Sequence, residues 1–148
     1  MNLPFLRNLP GLGRRPLLRV VAGAEATSTG AEAALQHLLA ELPELLMAAV
    51  VAMDSGQVLA TYTTQPQLWP STAAPFWIAA VQQIQANQAA QGSEYEYPEE
   101  VLVTLPTQLH LFHLTPNRRY LLCLAIAEID TNLALAREIM RQAAELTI

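Results

Sequence analysis

Apolar side chains recur at helical spacing in three stretches of the chain. Such spacing places them on one face of a helix, and that face can then be buried against a core. Proline or glycine ends the first two stretches. The pattern predicts helices over residues 31–42, from 71 or 72 to 91, and from 130 or 131 to 146.

Five shorter runs have the composition of β-strands. Residues 45–53 (LLMAAVVAM) and 120–127 (YLLCLAIA) contain almost no polar side chain, which is typical of central strands covered on both faces. The turn sequence Asp54-Ser55-Gly56-Gln57 leads from the first run into a return strand at 58–63. Short links then predict antiparallel hairpins among the last three strands, at 101–105, 108–114 and 120–127.

The predicted element order is α-β-β-α-β-β-β-α. Because two strands are apolar on both faces, helices must cover both sides of the sheet. We therefore expect an α+β fold with a profilin-like architecture, a three-layer α/β/α sandwich around a five-stranded antiparallel sheet. The domain is predicted to span residues 31–148, after an extended Pro/Leu/Arg-rich segment (1–21) and a linker (22–30).

The segment over residues 1–21 has its own periodicity. Proline at intervals of six opposes both helix and central strand. In a polyproline-II conformation, which has three residues per turn, leucines spaced by three would form one stripe. The segment is either a docking strip for a partner, for its own dimer or for a membrane surface, or a leucine-rich tail without that role. The stripe includes Leu6, Leu9 and Leu12.

Charge divides the chain into two parts. There is no lysine, and four of the eight arginines lie in the first twenty residues without any acid. The remaining 128 residues hold four arginines and thirteen acids, a net charge of −9. An acidic body opposes nucleic-acid binding, and the absence of lysine excludes P-loop and Schiff-base chemistry. The lone cysteine and the absence of a membrane-length or signal-like apolar run predict a cytoplasmic location.

Residues with catalytic or metal-binding potential are few. His110 and His113 are three apart in one predicted strand, so they face opposite ways and cannot share a metal ion. His37 falls in the first predicted helix, and Cys123 falls within an apolar run, where a small buried residue is the simplest reading. No hydrolase, metalloprotease or redox motif occurs. We expect no enzymatic activity, no metal and no cofactor.

Two local sequences, together with the element order, resemble the Roadblock/dynein-light-chain family, which includes the bacterial MglB proteins. The first is residues 39–45 (LAELPEL), a leucine-rich helix end broken by proline, and the second is residues 53–60 (MDSGQVLA), a hairpin with its return strand. The resemblance covers about residues 30–148. The Gln/Ala-rich second helix and the N-terminal segment depart from the family pattern.

The resemblance implies a dimer. In this family the second helix and the third strand pair across a two-fold axis, giving a continuous ten-stranded sheet. Such dimers bind small Ras-like GTPases or act as scaffolds, and MglB-type members stimulate GTP hydrolysis without inserting an arginine finger. The candidate dimer-interface residues here are Phe76, Trp77, Ile84, Val101 and Val103.

The residues themselves leave alternatives open at these positions. The strand VLVTL (101–105) is short and apolar, which favours either a paired edge or an edge guarded by Glu99, Glu100 and Pro106. Phe76 and Trp77 fit core packing as well as a dimer interface. Three residues outside the N-terminal segment are candidates for partner binding: Ile78, which lies off the main apolar stripe, and Arg118 and Arg119, which either pair with acidic groups of a partner or are solvated turn residues.

We therefore expect a dimeric, non-catalytic regulator of a small Ras-like GTPase, with the role of a GTPase-activating protein as the more specific expectation. An adaptor in a larger motility or signalling assembly, recruited through residues 1–21, is the alternative. A small-ligand sensor or an enzyme on a profilin-like sandwich is the third, and the lack of a convergent polar cluster opposes it.

Overall fold

The computed structural model describes residues 19–20, 25–65, 70–93, 96–127 and 132–147. Within these ranges three helices and five strands follow the predicted order, after one additional short strand at the start. In chain order they are β1 (Arg19–Val20), α1 (Glu25–Glu41), β2 (Leu45–Ala52), β3 (Val58–Thr63), α2 (Pro70–Ala90), β4 (Glu100–Thr104), β5 (Gln108–Leu114), β6 (Tyr120–Ala127) and α3 (Leu133–Thr147).

The sheet is antiparallel throughout and has the order β1-β3-β2-β6-β5-β4. The five predicted strands are all present, so the predicted fold class is confirmed. The two runs without polar side chains, β2 and β6, lie side by side at the centre and are almost completely buried. The short β1 pairs with β3 and was not predicted, because two residues carry no periodic pattern.

The two faces of the sheet are covered by different helices. One face packs against α1 and α3, with a core that includes Leu35, Leu38, Leu122, Leu124 and Met140. The other face packs against α2 alone, with a core that includes Met47, Ala49, Val51, Ile78 and Val81. The result is the predicted three-layer sandwich.

The first helix corrects one prediction. It begins at Glu25 rather than at residue 31, so the predicted linker over residues 22–30 is wrong from Glu25 onwards. Gly30, a poor helix former, suggested a linker. A Cβ atom at Gly30 would lie 2.8 Å from the carbonyl oxygen of Thr147, so glycine is needed there to let α1 approach α3 closely.

The last helix uses only part of its apolar surface. Ala136, Ile139 and Met140 are buried against the first core, whereas Leu135 and Leu146 are exposed. The helix therefore buries one apolar face and leaves other apolar side chains in solvent. The exposed Leu135 lies on the side of the sheet opposite to α2.

Candidate protein-binding surface

Strand β4 forms one edge of the sheet, and much of it is apolar and exposed. Within the described part of the chain its only neighbour is β5. Val103 has 38% of its surface exposed, and Leu102 and Leu105 are also exposed. An apolar edge strand presents unpaired backbone N–H and C=O groups together with apolar side chains, so another strand can pair with it. The prediction that residues 101–105 form an edge is confirmed.

Helix α2 turns a second apolar group outward. Its sheet-facing stripe is Ala74, Ile78 and Val81, so Phe76 points away and has 74% of its surface exposed. Ile78 has only 8% exposed and lies in the core, so its assignment as a partner-binding residue is wrong. The sequence analysis placed Ile78 off the buried stripe of α2. Packing of α2 against the sheet decides which side of the helix is buried, and that side includes Ile78.

The remaining candidates connect α2 with β4. Trp77 is half-buried, and its ring centroid lies 5.7 Å from that of Phe112 in β5. Phe112 pairs in register with Val101 of β4, and both Trp77 and Val101 pack against the core on the α2 side. Ile84, farther along α2, is half-buried. We call the surface formed by Phe76, Trp77, Ile84, Val101 and Val103 the apolar seam.

Two exposed apolar residues in or next to β4 were not selected from the sequence. Leu102 pairs with the buried Leu111 and therefore lies on the α3 side of the sheet, and Leu105 follows the strand. Strand alternation alone would have found Leu102, because an edge strand exposes both of its faces more than a central strand does. The exposed apolar area at β4 therefore extends to both faces of the sheet.

The turn between β5 and β6 is held by hydrogen bonds to the side chain of Asn117. The Asn117 side chain accepts hydrogen bonds from the Thr115 hydroxyl (2.7 Å) and from the backbone N–H of Arg119 (3.0 Å). Arg118 adopts the left-handed conformation, with φ of 62°. Its guanidinium carbon lies 3.3 Å from the ring centroid of Tyr97, a cation–π contact. Arg118 is therefore engaged within the chain.

The same turn borders an open cleft of about 600 Å³. The backbone N–H of Met53 donates to the carbonyl of Arg119 (2.9 Å), which joins this turn to the turn between β2 and β3. Helix α2 forms the third wall with Gln82 and Gln85. Both Arg118 and Arg119 line the space, so we call it the arginine cleft.

A charged cluster holds the beginning of β4 against α3. Arg137 Nε donates to Glu100 Oε1 over 2.6 Å, and His113 Nδ1 lies 3.9 Å from Glu100 Oε2. Burial lowers the pKa of His113, while the negative charges of Glu100 and Glu99 act in the opposite direction and Arg141 lowers it further. Its Nδ1 atom is buried and has no hydrogen-bond partner among the described residues.

The other residues considered for chemistry have structural surroundings. His110 Nε2 lies 2.9 Å from Gln108 Oε1, and burial lowers the pKa of its imidazole. His37 contacts Gln142 between α1 and α3, at 2.9 Å. Cys123 is fully buried, which raises the pKa of its thiol well above the ordinary value. In the described ranges no group of histidine, cysteine and acidic residues is arranged to hold a metal ion.

Three of the partner-binding candidates, Leu6, Leu9 and Leu12, lie outside the described residues. Across the helices that the structure describes, none combines the length and apolar character that a membrane crossing requires.

Comparison with known proteins gives matches in structure alone. No protein-family model and no curated protein sequence matches the chain. Myxococcus xanthus MglB superposes with a TM-score of 0.71 at 12% identity, over 86% of this chain and 90% of that one. A Roadblock/LC7 domain from Streptomyces avermitilis gives 0.58 at 14% identity, over 78% and 89%.

A structure described as MglB with a tetrameric arrangement gives a TM-score of 0.60 at 19% identity, over 90% of this chain and 99% of that one. At such low identities the similarity establishes the fold rather than shared residues. The protein therefore has the Roadblock/LC7 fold, the one that its element order and hairpin sequences resemble.

Proposed function

We propose that this protein is a homodimeric, non-catalytic regulator of the MglB type that acts by binding a small Ras-like GTPase. The observation that carries the proposal is the apolar seam, in which an exposed edge strand and an exposed aromatic residue of α2 lie on the same side of the sheet. The Roadblock/LC7 fold supports it, and one structure with this fold is described as an MglB in a tetrameric arrangement.

The seam has the chemistry of a permanent interface. Phe76 and Val103 are apolar groups that gain by leaving water, and aromatic residues are enriched where binding energy concentrates. When β4 pairs with the same strand of a second copy, the sheet continues across both protomers and the unpaired backbone groups of the edge are satisfied. The two α2 helices then meet on one side of that sheet, where each buries the other's Phe76.

A dimer of this kind presents a broad surface for a partner and needs no catalytic group of its own. The expected role is to stabilise a conformation of the GTPase that hydrolyses GTP faster, which requires the regulator to bind that conformation more tightly than the others. The regulator contributes complementarity, and the chemistry stays with the GTPase.

The first test is mass measurement by light scattering over a range of concentrations, for which we expect a dimer. The second is capture of a Ras-like GTPase by the tagged full-length protein from its native lysate, followed by single-turnover GTP hydrolysis with both purified proteins. We expect faster hydrolysis at saturating regulator. A monomer at every concentration refutes the dimer, and an unchanged rate for a bound GTPase refutes the activating role.

A further inference from the structure

The arginine cleft differs in charge from the rest of the domain. Beyond the first twenty residues the chain has a net charge of −9, yet the cleft is lined by two arginines against the single acid Asp54. An anion that approaches this acidic part of the chain is attracted to the local positive charge of the cleft.

The four arginines of residues 31–148 differ in how they are engaged. Arg137 and Arg141 are held in ion pairs with glutamates, and Arg118 stacks on Tyr97. Arg119 is exposed and forms no ion pair with any residue that the structure describes. Its planar guanidinium is suited to bidentate pairing with a carboxylate. Arg119 is thus the cation of this domain that is most available to an external partner.

The other walls of the cleft suit a peptide better than a simple ion. Gln82 and Gln85 of α2 carry amide groups that can donate to carboxylates or to backbone carbonyls. The lining also includes Met53, Leu59 and Tyr120, which offer apolar contact. A volume of about 600 Å³ accommodates several side chains.

The walls of the cleft are also held in place by contacts within the chain itself. The hydrogen bond from Met53 to Arg119 fixes the two turns to each other, and the Ile78 side chain reaches within 3.8 Å of a Cβ position at Gly56. Walls that are already ordered reduce the entropy cost of binding.

From these observations we infer that the arginine cleft binds an acidic, leucine-containing segment of a partner protein, with Arg119 as the main electrostatic contact. This inference rests on the proposed protein-binding function and names the chemistry of the partner segment. Gln85 and Phe76 are nine residues apart, two and a half helical turns, so they lie on opposite sides of α2. Phe76 can therefore be covered in a dimer while Gln85 stays on the side of the cleft.

The test uses the full-length protein and a short fluorescein-labelled peptide of glutamate, aspartate and leucine. Its counterpart replaces the acids by glutamine and asparagine. Binding is measured by fluorescence anisotropy, and the site is mapped by shifts of backbone amide signals in NMR. We expect the acidic peptide to bind, to shift the amides of Met53, Ser55 and Arg119, and to lose affinity about tenfold in Arg119→Gln.

Arg141→Gln is the matched control, because it removes the same charge from an exposed position of α3 that is outside the cleft. We expect it to change affinity less than about twofold. The inference is overturned if the acidic peptide does not bind, if both variants weaken it equally, or if the neutral peptide binds as well. Equal competition by citrate or inorganic phosphate would also overturn it, in favour of a small-anion site.

Failure of this inference is distinguishable from failure of the proposed function. Light scattering on Arg119→Gln is expected to give the same mass as the wild type, since the residue lies outside the seam. A dimer that accelerates GTP hydrolysis but does not bind the peptide would refute only the inferred peptide binding by the cleft. A monomer that binds the peptide at Arg119 would refute the dimer and leave the cleft standing.

Discussion

The two faces of the sheet are completed in different ways. On one face α1 and α3 pack closely against each other at Gly30, and His37 bridges to Gln142 between them. On the other face α2 stands alone, and it carries Phe76, which is 74% exposed, the highest fraction among the aromatic residues that the structure describes. The apolar core on the first face is covered by helices of the same chain. The second face leaves apolar surface exposed to water in the single chain. Exposed apolar surface of this kind marks a site where a partner protein binds.

The difference shows that exposure of an apolar residue has to be interpreted in its surroundings. Leu135 on α3 is 52% exposed, but it lies on a face whose core is already closed. Val103 is less exposed, yet it lies on an edge strand and on the same side of the sheet as Phe76. Its place beside unpaired backbone is what makes Val103, unlike Leu135, a candidate for the interface.

The largest expected effect tests whether dimerisation depends on the α2 side of the sheet and not on the α3 side. The double substitution Phe76→Glu and Val103→Glu places charges in the apolar seam, so the dimer dissociation constant should rise about 100-fold or more, which corresponds to ~2.7 kcal/mol. Light scattering across a dilution series measures it, and circular dichroism checks that the monomer is folded. Leu135→Glu on the other face is the control and should leave dimerisation unchanged. Equal effects of the two changes would remove the distinction between the faces.

A smaller effect tests the closed face. Gly30→Ala would ordinarily stabilise a helix by about 1 kcal/mol, because alanine is the better helix former. Here the new Cβ atom would meet the Thr147 carbonyl at 2.8 Å, so we expect the free energy of unfolding to fall by about 1–3 kcal/mol instead. Urea denaturation gives the sign. Gln36→Ala, at an exposed position of α1, serves as the control and should change stability by less than about 0.5 kcal/mol. A stabilised Gly30→Ala variant would show that α1 and α3 are farther apart.

The smallest expected effect concerns pH and compares one histidine from each face. Burial lowers the pKa of both His110, on the α2 side, and His113, on the α3 side. The unfolded chain therefore binds protons more readily, and stability should fall as the pH drops below about 6.5, the ordinary histidine pKa. Each histidine contributes up to about 1.4 kcal/mol for every unit by which its pKa is lowered.

Either His110→Gln or His113→Gln should flatten the pH dependence of the unfolding free energy, as measured by denaturation at pH 7.5 and at successively lower pH values. Because His110 pairs in register with Val103 of the seam, only His110→Gln should also flatten the pH dependence of the dimer dissociation constant. An equal influence of His113→Gln on dimerisation would contradict the assignment of the interface to the α2 side.

Much of the fold was predictable because its strands have distinctive composition. The observed bounds of β3, β5 and β6 coincide with the predicted ones. An eight-residue run without polar groups, such as β6, must be covered on both faces, and short links between strands leave few topologies. The start of α1 was not predictable in the same way, since the reason for Gly30 lies in α3, more than a hundred residues away.

The site was predictable in part. The apolar edge at Val103 follows from its place after a long helix and loop, and the structure places it at the sheet edge. Ile78 was misplaced because α2 carries apolar residues around most of its circumference, so periodicity alone cannot select the buried stripe. The arginine cleft was invisible apart from the two arginines themselves. Its other walls come from α2 and from a distant hairpin.

By itself the sequence determined the element order, the two central strands and the acidic character of the body, because these depend on local composition and on the requirement to bury apolar runs. The tertiary structure alone decided which side of α2 faces solvent, where glycine is needed for a close helix contact, and that two turns and a helix enclose a cationic cleft. Those features depend on distances between residues far apart in the chain, and a single sequence does not record such distances.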